Sequence, residues 1–98
     1  MSTIDVRRAH SLPKEDAKKR AEVLAGSMQQ KFELVWHWDG DRIVFDAPHG
    51  AAKGTKGSVE VSEKEVRVQI DLPFLLRMLK GTIESKVNDK LNQLLLVA

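Results

Sequence analysis

Ninety-eight residues allow one domain with a small core, because a chain of this size buries only about 60 to 70 per cent of its unfolded surface. Hydrophobic residues at 42% and charged residues at 31% fit neither disorder nor a membrane protein, and a net charge of +2 is too small to argue nucleic-acid binding by itself. The absence of cysteine excludes a disulfide framework, a thiol nucleophile and a thiolate metal site.

The first residues, MSTIDVRRAH, lack the apolar stretch of a secretory signal, and no apolar run approaches the roughly 20 residues that span a bilayer. A cytoplasmic protein is expected. Ile4, Val6, Arg8 and His10 alternate with Asp5, Arg7 and Ala9, which predicts a short amphipathic edge strand. Pro13 suits the first turn of a helix, and Glu15 and Asp16 lie where the helix dipole favours acids. Ala17, Ala21, Leu24 and Met28 then mark one stripe of a helix ending near Lys31, with Lys14, Lys18, Lys19 and Glu22 largely on a solvated face.

The stretch WHWDGDRIVF, Trp36 to Phe45, reads as a hairpin. With Asp39-Gly40 as the centre of a type I′ turn, Trp38 would pair with Asp41, His37 with Arg42, Trp36 with Ile43, Val35 with Val44, and Leu34 with Phe45. Phe32, Leu34, Trp36, Ile43 and Phe45 then share an apolar face, and Glu33, His37, Arg42 and Asp46 share the other with Val35 and Val44. Trp36 is expected in the core. Trp38, at the turn end, either closes the sandwich or lines a groove.

A second hairpin turning about Glu63-Lys64 pairs Val61 with Val66, Val59 with Val68, and Glu60 with Arg67. Between the hairpins, APHGAAKGTKGS matches neither glycine-rich phosphate-binding pattern and is expected to be a flexible connector. After Leu72-Pro73 a second helix is predicted from about Phe74 to Leu96, with Leu76, Leu79, Ile83, Val87, Leu91, Leu94 and Leu95 on its apolar stripe. Gly81 implies close packing against the sheet or a bend. The whole chain, 1–98, thus predicts a single α+β domain: a two-layer sandwich in the order β-α-β-β-β-β-α, with an antiparallel sheet of about five strands and both helices on one face. The opposite, mostly polar face is left for solvent or a homodimer, as is an edge strand.

Catalytic patterns are missing. His10, His37 and His49 fall on a strand, the polar sheet face and a loop, without metal-ligand spacing. No serine or threonine sits in a nucleophile elbow, and the two acids Asp39 and Asp41 belong to a turn. His10 is expected to be structural, held by a backbone hydrogen bond, and His37 to form a solvent-facing pair with Arg42. No catalytic residue, metal site or cofactor is therefore expected.

RRAHSL before the first helix, W-x-x-D-R-I-V-F in the first hairpin, GSVEV followed by VRVQIDLP, and Ile83-Glu84 in the last helix carry a resemblance that covers nearly the whole chain. In their order and spacing the sequence resembles the small bacterial polyhydroxyalkanoic acid system proteins, found with the genes of polyester (PHA) granules. It departs from that pattern in the loop from Ala47 to Lys56, which is longer and richer in lysine than the family's short glycine turn. The resemblance implies a role in storage-polyester metabolism but brings no catalytic motif.

The leading expectation is a non-enzymatic accessory or granule-associated protein that binds the polymer surface or a granule protein. Its apolar contacts would include Trp38, Leu94, Leu95 and Leu96, with lysines along the helix edges. The alternative is a domain holding an acyl or hydroxyacyl ligand between helices and sheet, in a cavity lined by Trp36, Trp38, Phe45 and Ile83. A third reading, nucleic-acid binding through Lys14, Lys18, Lys19 and Arg20, predicts retention on DNA that falls steeply with salt.

Overall fold

A computed structural model describes residues 3–50 and 52–95. The elements follow the expected order: β1 (Ile4–Ala9), α1 (Lys14–Phe32), β2 (Val35–Asp39), β3 (Arg42–Asp46), β4 (Lys56–Val61), β5 (Glu65–Asp71) and α2 (Lys80–Leu95). The strands form one antiparallel sheet in the order β1-β5-β4-β3-β2. Both helices cover one face, giving the two-layer α+β sandwich that the pattern implied.

Alternation explains which side chains enter the core. Ile4 and Val6 of β1, Ile43 and Phe45 of β3, Val59 and Val61 of β4, and Val66, Val68 and Ile70 of β5 are all buried beneath the helices. From α1 the small side chains Ala17, Ala21 and Ala25 let the helix approach the sheet, while Leu24 and Met28 fill the space between them. From α2, Val87, Leu91 and Leu95 complete the layer. The helix dipole of α1 is matched by Glu15 and Asp16 in its first turn and Lys31 in its last. It ends at Glu33, whose left-handed backbone, φ 56°, turns its N–H onto the Gln29 carbonyl at 3.0 Å.

The first hairpin folds in a different register from the one expected. Asp39 pairs with Arg42, Trp38 with Ile43, His37 with Val44, Trp36 with Phe45, and Val35 with Asp46. The two linking residues are therefore Gly40 and Asp41, with positive φ at Gly40 alone, the signature of a II′ turn. This pairing differs from the expected one by two residues, so every side chain keeps its face. His37 consequently faces Val44, and Arg42 reaches Asp39 at 3.3 Å. Trp36 also departs from expectation: β2 is an edge strand, and the ring is only half-buried against the core.

The second hairpin has the expected register. Its Glu-Lys turn is helped by Ser62, whose Oγ accepts hydrogen bonds from the N–H of Lys64 and of Glu65 at 3.4 and 3.1 Å. The segment between the hairpins is not a loose connector. Ala47 N–H donates to the Thr55 carbonyl at 2.9 Å, Gly54 N–H to the Ala47 carbonyl at 3.0 Å, and Ala47, Ala52 and Thr55 are buried. Paired backbone groups allow those residues to leave water.

The second helix is also not continuous. Residues Phe74–Leu79 form a 3-10 segment, and α2 starts only at Lys80. Pro73 begins the segment by accepting the Leu76 N–H at 2.9 Å, and the Arg77 guanidinium donates to the Leu72 carbonyl at 3.4 Å. Gly81 does not pack closely: a Cβ there would meet nothing within 4 Å. It lies beside the junction where the chain changes pitch. Leu96 falls outside the described residues.

Candidate functional site

A cleft of about 510 Å³ opens between α1, α2, the 3-10 segment and one end of the sheet. Its walls are mostly apolar and include Met28 and Phe32 of α1, Phe45 of β3, Leu76 of the 3-10 segment, and Ile83 and Val87 of α2. The volume lies in the range of about 300 to 1,000 Å³ usual for small-molecule sites. The cleft exists because the chain after Leu72 does not enter an α-helix at once. Six residues of 3-10 geometry stand the first turns away from the sheet before α2 packs down at Val87 and Leu91.

The 3-10 period also decides what faces outward. Side chains three residues apart eclipse one another in this geometry, so Leu76 and Leu79 share the cleft side. Leu75 and Met78 share another side and are 82% and 92% exposed, with Phe74 at 79%. These are the most exposed large apolar side chains among the described residues. An apolar patch of this kind, rimmed by Arg77 and Lys80 in the sequence, marks a contact surface more often than a tolerated accident.

The six residues expected to make apolar contacts are divided by the fold. Phe45 and Ile83 come together in the cleft. Trp36 and Trp38 lie along β2 against α1, where the Trp36 indole N–H donates to Gln29 Oε1 at 3.0 Å and that of Trp38 to Glu22 Oε1 at 2.8 Å. The Lys18 ammonium sits 5.0 Å from the centre of the Trp38 ring, a cation–π contact. Trp38 thus closes the turn end of the sandwich. Leu95 is buried in the core, and half-buried Leu94 lends its carbonyl to Arg20 at 2.9 Å.

The charges on α1 are largely occupied as well. Asp41, at the hairpin turn, accepts hydrogen bonds from Lys14 and, at 3.4 Å, from Lys18. The Lys14 hydrogen bond holds the Asp41 carboxyl below its ordinary pKa of 3.8, and Asp41 in turn raises Lys14 above 10.5. Three of the four cations that a nucleic-acid reading would use, Lys14, Lys18 and Arg20, are therefore tied to the fold.

His10 has the structural place expected of it. Its Nδ1 accepts the Leu12 N–H at 3.2 Å, which leaves Nε2 as the donor to the Ser62 carbonyl at 2.9 Å. His49 lies 3.8 Å from Glu33. Sequence periodicity missed two things: the exposure of Phe74, Leu75 and Met78, and the buried Thr55 beside the cleft. A signal for the first is present in FLLRML, where Arg77 is the single polar residue, so that the apolar side chains are too many to be covered by one sheet.

No helix among the described residues is long and apolar enough to cross a membrane. Comparison with curated proteins found no match, and comparison with solved structures found none. A family model described as "Putative polyhydroxyalkanoic acid system protein" matches residues 4–95. That span runs from the first residue of β1 to the last of α2, and the chain belongs to the polyhydroxyalkanoic acid system protein family.

Proposed function

We propose that this protein is a non-catalytic accessory of polyester storage that docks on the hydrophobic surface of the polymer granule through its 3-10 segment. One observation carries the reading: Phe74, Leu75 and Met78 stand 79 to 92% exposed on one short, anchored segment. Burying each such side chain contributes roughly 1.5 to 3 kcal/mol, so three supply on the order of 5 to 9 kcal/mol. Association costs are of similar size, about 4 to 15 kcal/mol, which makes the attachment reversible and sensitive to each contact. Family membership supports the polyester setting.

Co-sedimentation with purified granules tests this. Wild-type protein is expected to enrich in the granule pellet over a soluble control, and the triple variant Phe74→Ser, Leu75→Ser, Met78→Ser to remain in the supernatant. Equal partitioning of the two proteins would sink the reading.

A further inference from the structure

The cleft has two polar rims of one chemical character. On α1, Ser27 and Lys31 are four residues apart, and on α2 Thr82, Lys86 and Lys90 repeat the same interval, so each set lies along one edge of its helix. Between the rims the reachable walls are apolar. Phe32, Leu76 and Ile83 are half-buried and Leu79 is 49% exposed, whereas Phe45 and Leu72 behind them are buried. Asp89 is the one acid among the lining residues, against the three lysines 31, 86 and 90. None of these four charges forms an ion pair among the described residues, while Lys14 and Lys18 elsewhere on α1 are both held by Asp41. The cleft therefore carries a surplus of positive charge around an apolar interior.

We propose that the cleft binds a small amphipathic anion, an apolar body with one carboxylate or phosphate head. The body covers Phe32, Leu79 and Ile83, and the head stays at the mouth, where the lysines of both rims reach it. Lysine suits such a rim because its methylene stem extends the apolar wall while its ammonium turns to the charge. Burial of the body supplies most of the affinity, and the lysines decide the sign of the charge that is accepted. A neutral molecule leaves the surplus cations without a counter-charge, and an organic cation is repelled by them. The inference is independent of granule docking: the outward side chains Phe74, Leu75 and Met78 serve one, and the walls between the rims serve the other.

NMR titration of the isotope-labelled full chain, without granules, tests it with four probes that share one tail: octanoate, octyl phosphate, octanol and octyltrimethylammonium, each below its micelle-forming concentration. The two anions should give saturable amide shifts centred on Phe32, Leu79, Ile83 and Lys86. Their affinity should exceed that of octanol by about three- to tenfold, the worth of one or two exposed ion pairs, and octyltrimethylammonium should bind most weakly. Salt at about 1 M should narrow the gap between anion and alcohol. Whichever anion binds more tightly identifies the head group. Lys31→Glu and Lys86→Glu together, both at exposed positions, should reverse the order, so that octyltrimethylammonium binds more tightly than octanoate. Absence of saturable binding by either anion overturns the proposal, as does equal affinity for octanol and the anions, or an order that survives the charge reversal. Shifts confined to Phe74, Leu75 and Met78 would place the probes on the docking segment and overturn it too. Loss of anion binding with granule sedimentation intact would leave the docking reading standing.

Discussion

At Asp41 one side chain links the first hairpin to the first helix. It occupies the second position of the turn, yet its carboxylate holds Lys14 and Lys18 of α1. Lys14 keeps this carboxyl below its ordinary pKa of 3.8. A depressed carboxyl contributes stability that is present above the unfolded value and is lost as pH falls through the folded one. The urea midpoint of Asp41→Asn should therefore lie below that of the wild type at neutral pH, and the gap should close as pH drops below 3.8. A gap that persisted unchanged into acid would mean that Asp41 acts through turn geometry. Gly57 illustrates a different constraint. Phe45 pairs with it across the strands, and an added Cβ would meet the ring at 2.5 Å and the Gln69 carbonyl at 2.3 Å. Gly57→Ala should cost about 1 to 3 kcal/mol in urea unfolding, as overpacked cores do, with the denaturant slope unchanged.

Among the elements, the limits of sequence reading have physical causes. Side-chain alternation has period two, so it distinguishes faces but cannot separate registers that differ by two residues. The pairings Trp36 with Ile43 and Trp36 with Phe45 satisfy the hydrophobic pattern equally well. Only the turn decides between them, and Gly40 serves as a lone positive-φ residue, leaving Asp39 in the strand. The second hairpin has no such ambiguity, because Ser62 fixes the loop by bonding to Lys64 and Glu65. In the last helix, Leu76, Leu79 and Ile83 fit a helical stripe whether or not the first six residues are α-helical, so the 3-10 segment and the cleft behind it were illegible. Phe45 and Ile83 could be named beforehand as cleft walls, while Thr55 could not, because its burial depends on the folded loop. Gly81 belongs to this junction. Since an added methyl meets nothing there, Gly81→Ala should stabilise the protein by about 1 kcal/mol, the helix propensity difference.

The whole molecule has two unlike faces. Across the open side of the sheet run Arg7, Arg67, Glu60, Arg42 and Asp39 in register, and Arg67 grips Asp5 with two hydrogen bonds of 3.0 and 2.7 Å. The row includes one like-charged pair, Arg7 opposite Arg67, and charges of this kind resist transfer to an apolar surface. The helical side carries the exposed 3-10 segment and the mouth of the cleft. A granule surface should therefore meet the helical side and leave the sheet wet. Acetylation of lysines on granule-bound protein, read by mass spectrometry, distinguishes the orientations. Lys80, which follows the docking segment directly, should react more slowly than in free protein. Lys56, on the open face of β4, should react at an unchanged rate. Protection of Lys56 with Lys80 unaffected would place the contact on the sheet, where Val35 and Val44 are the only apolar residues of β2 and β3 on that face. Such a contact would have to desolvate the charged row around those two valines, and the three exposed side chains at 74, 75 and 78 require no comparable cost.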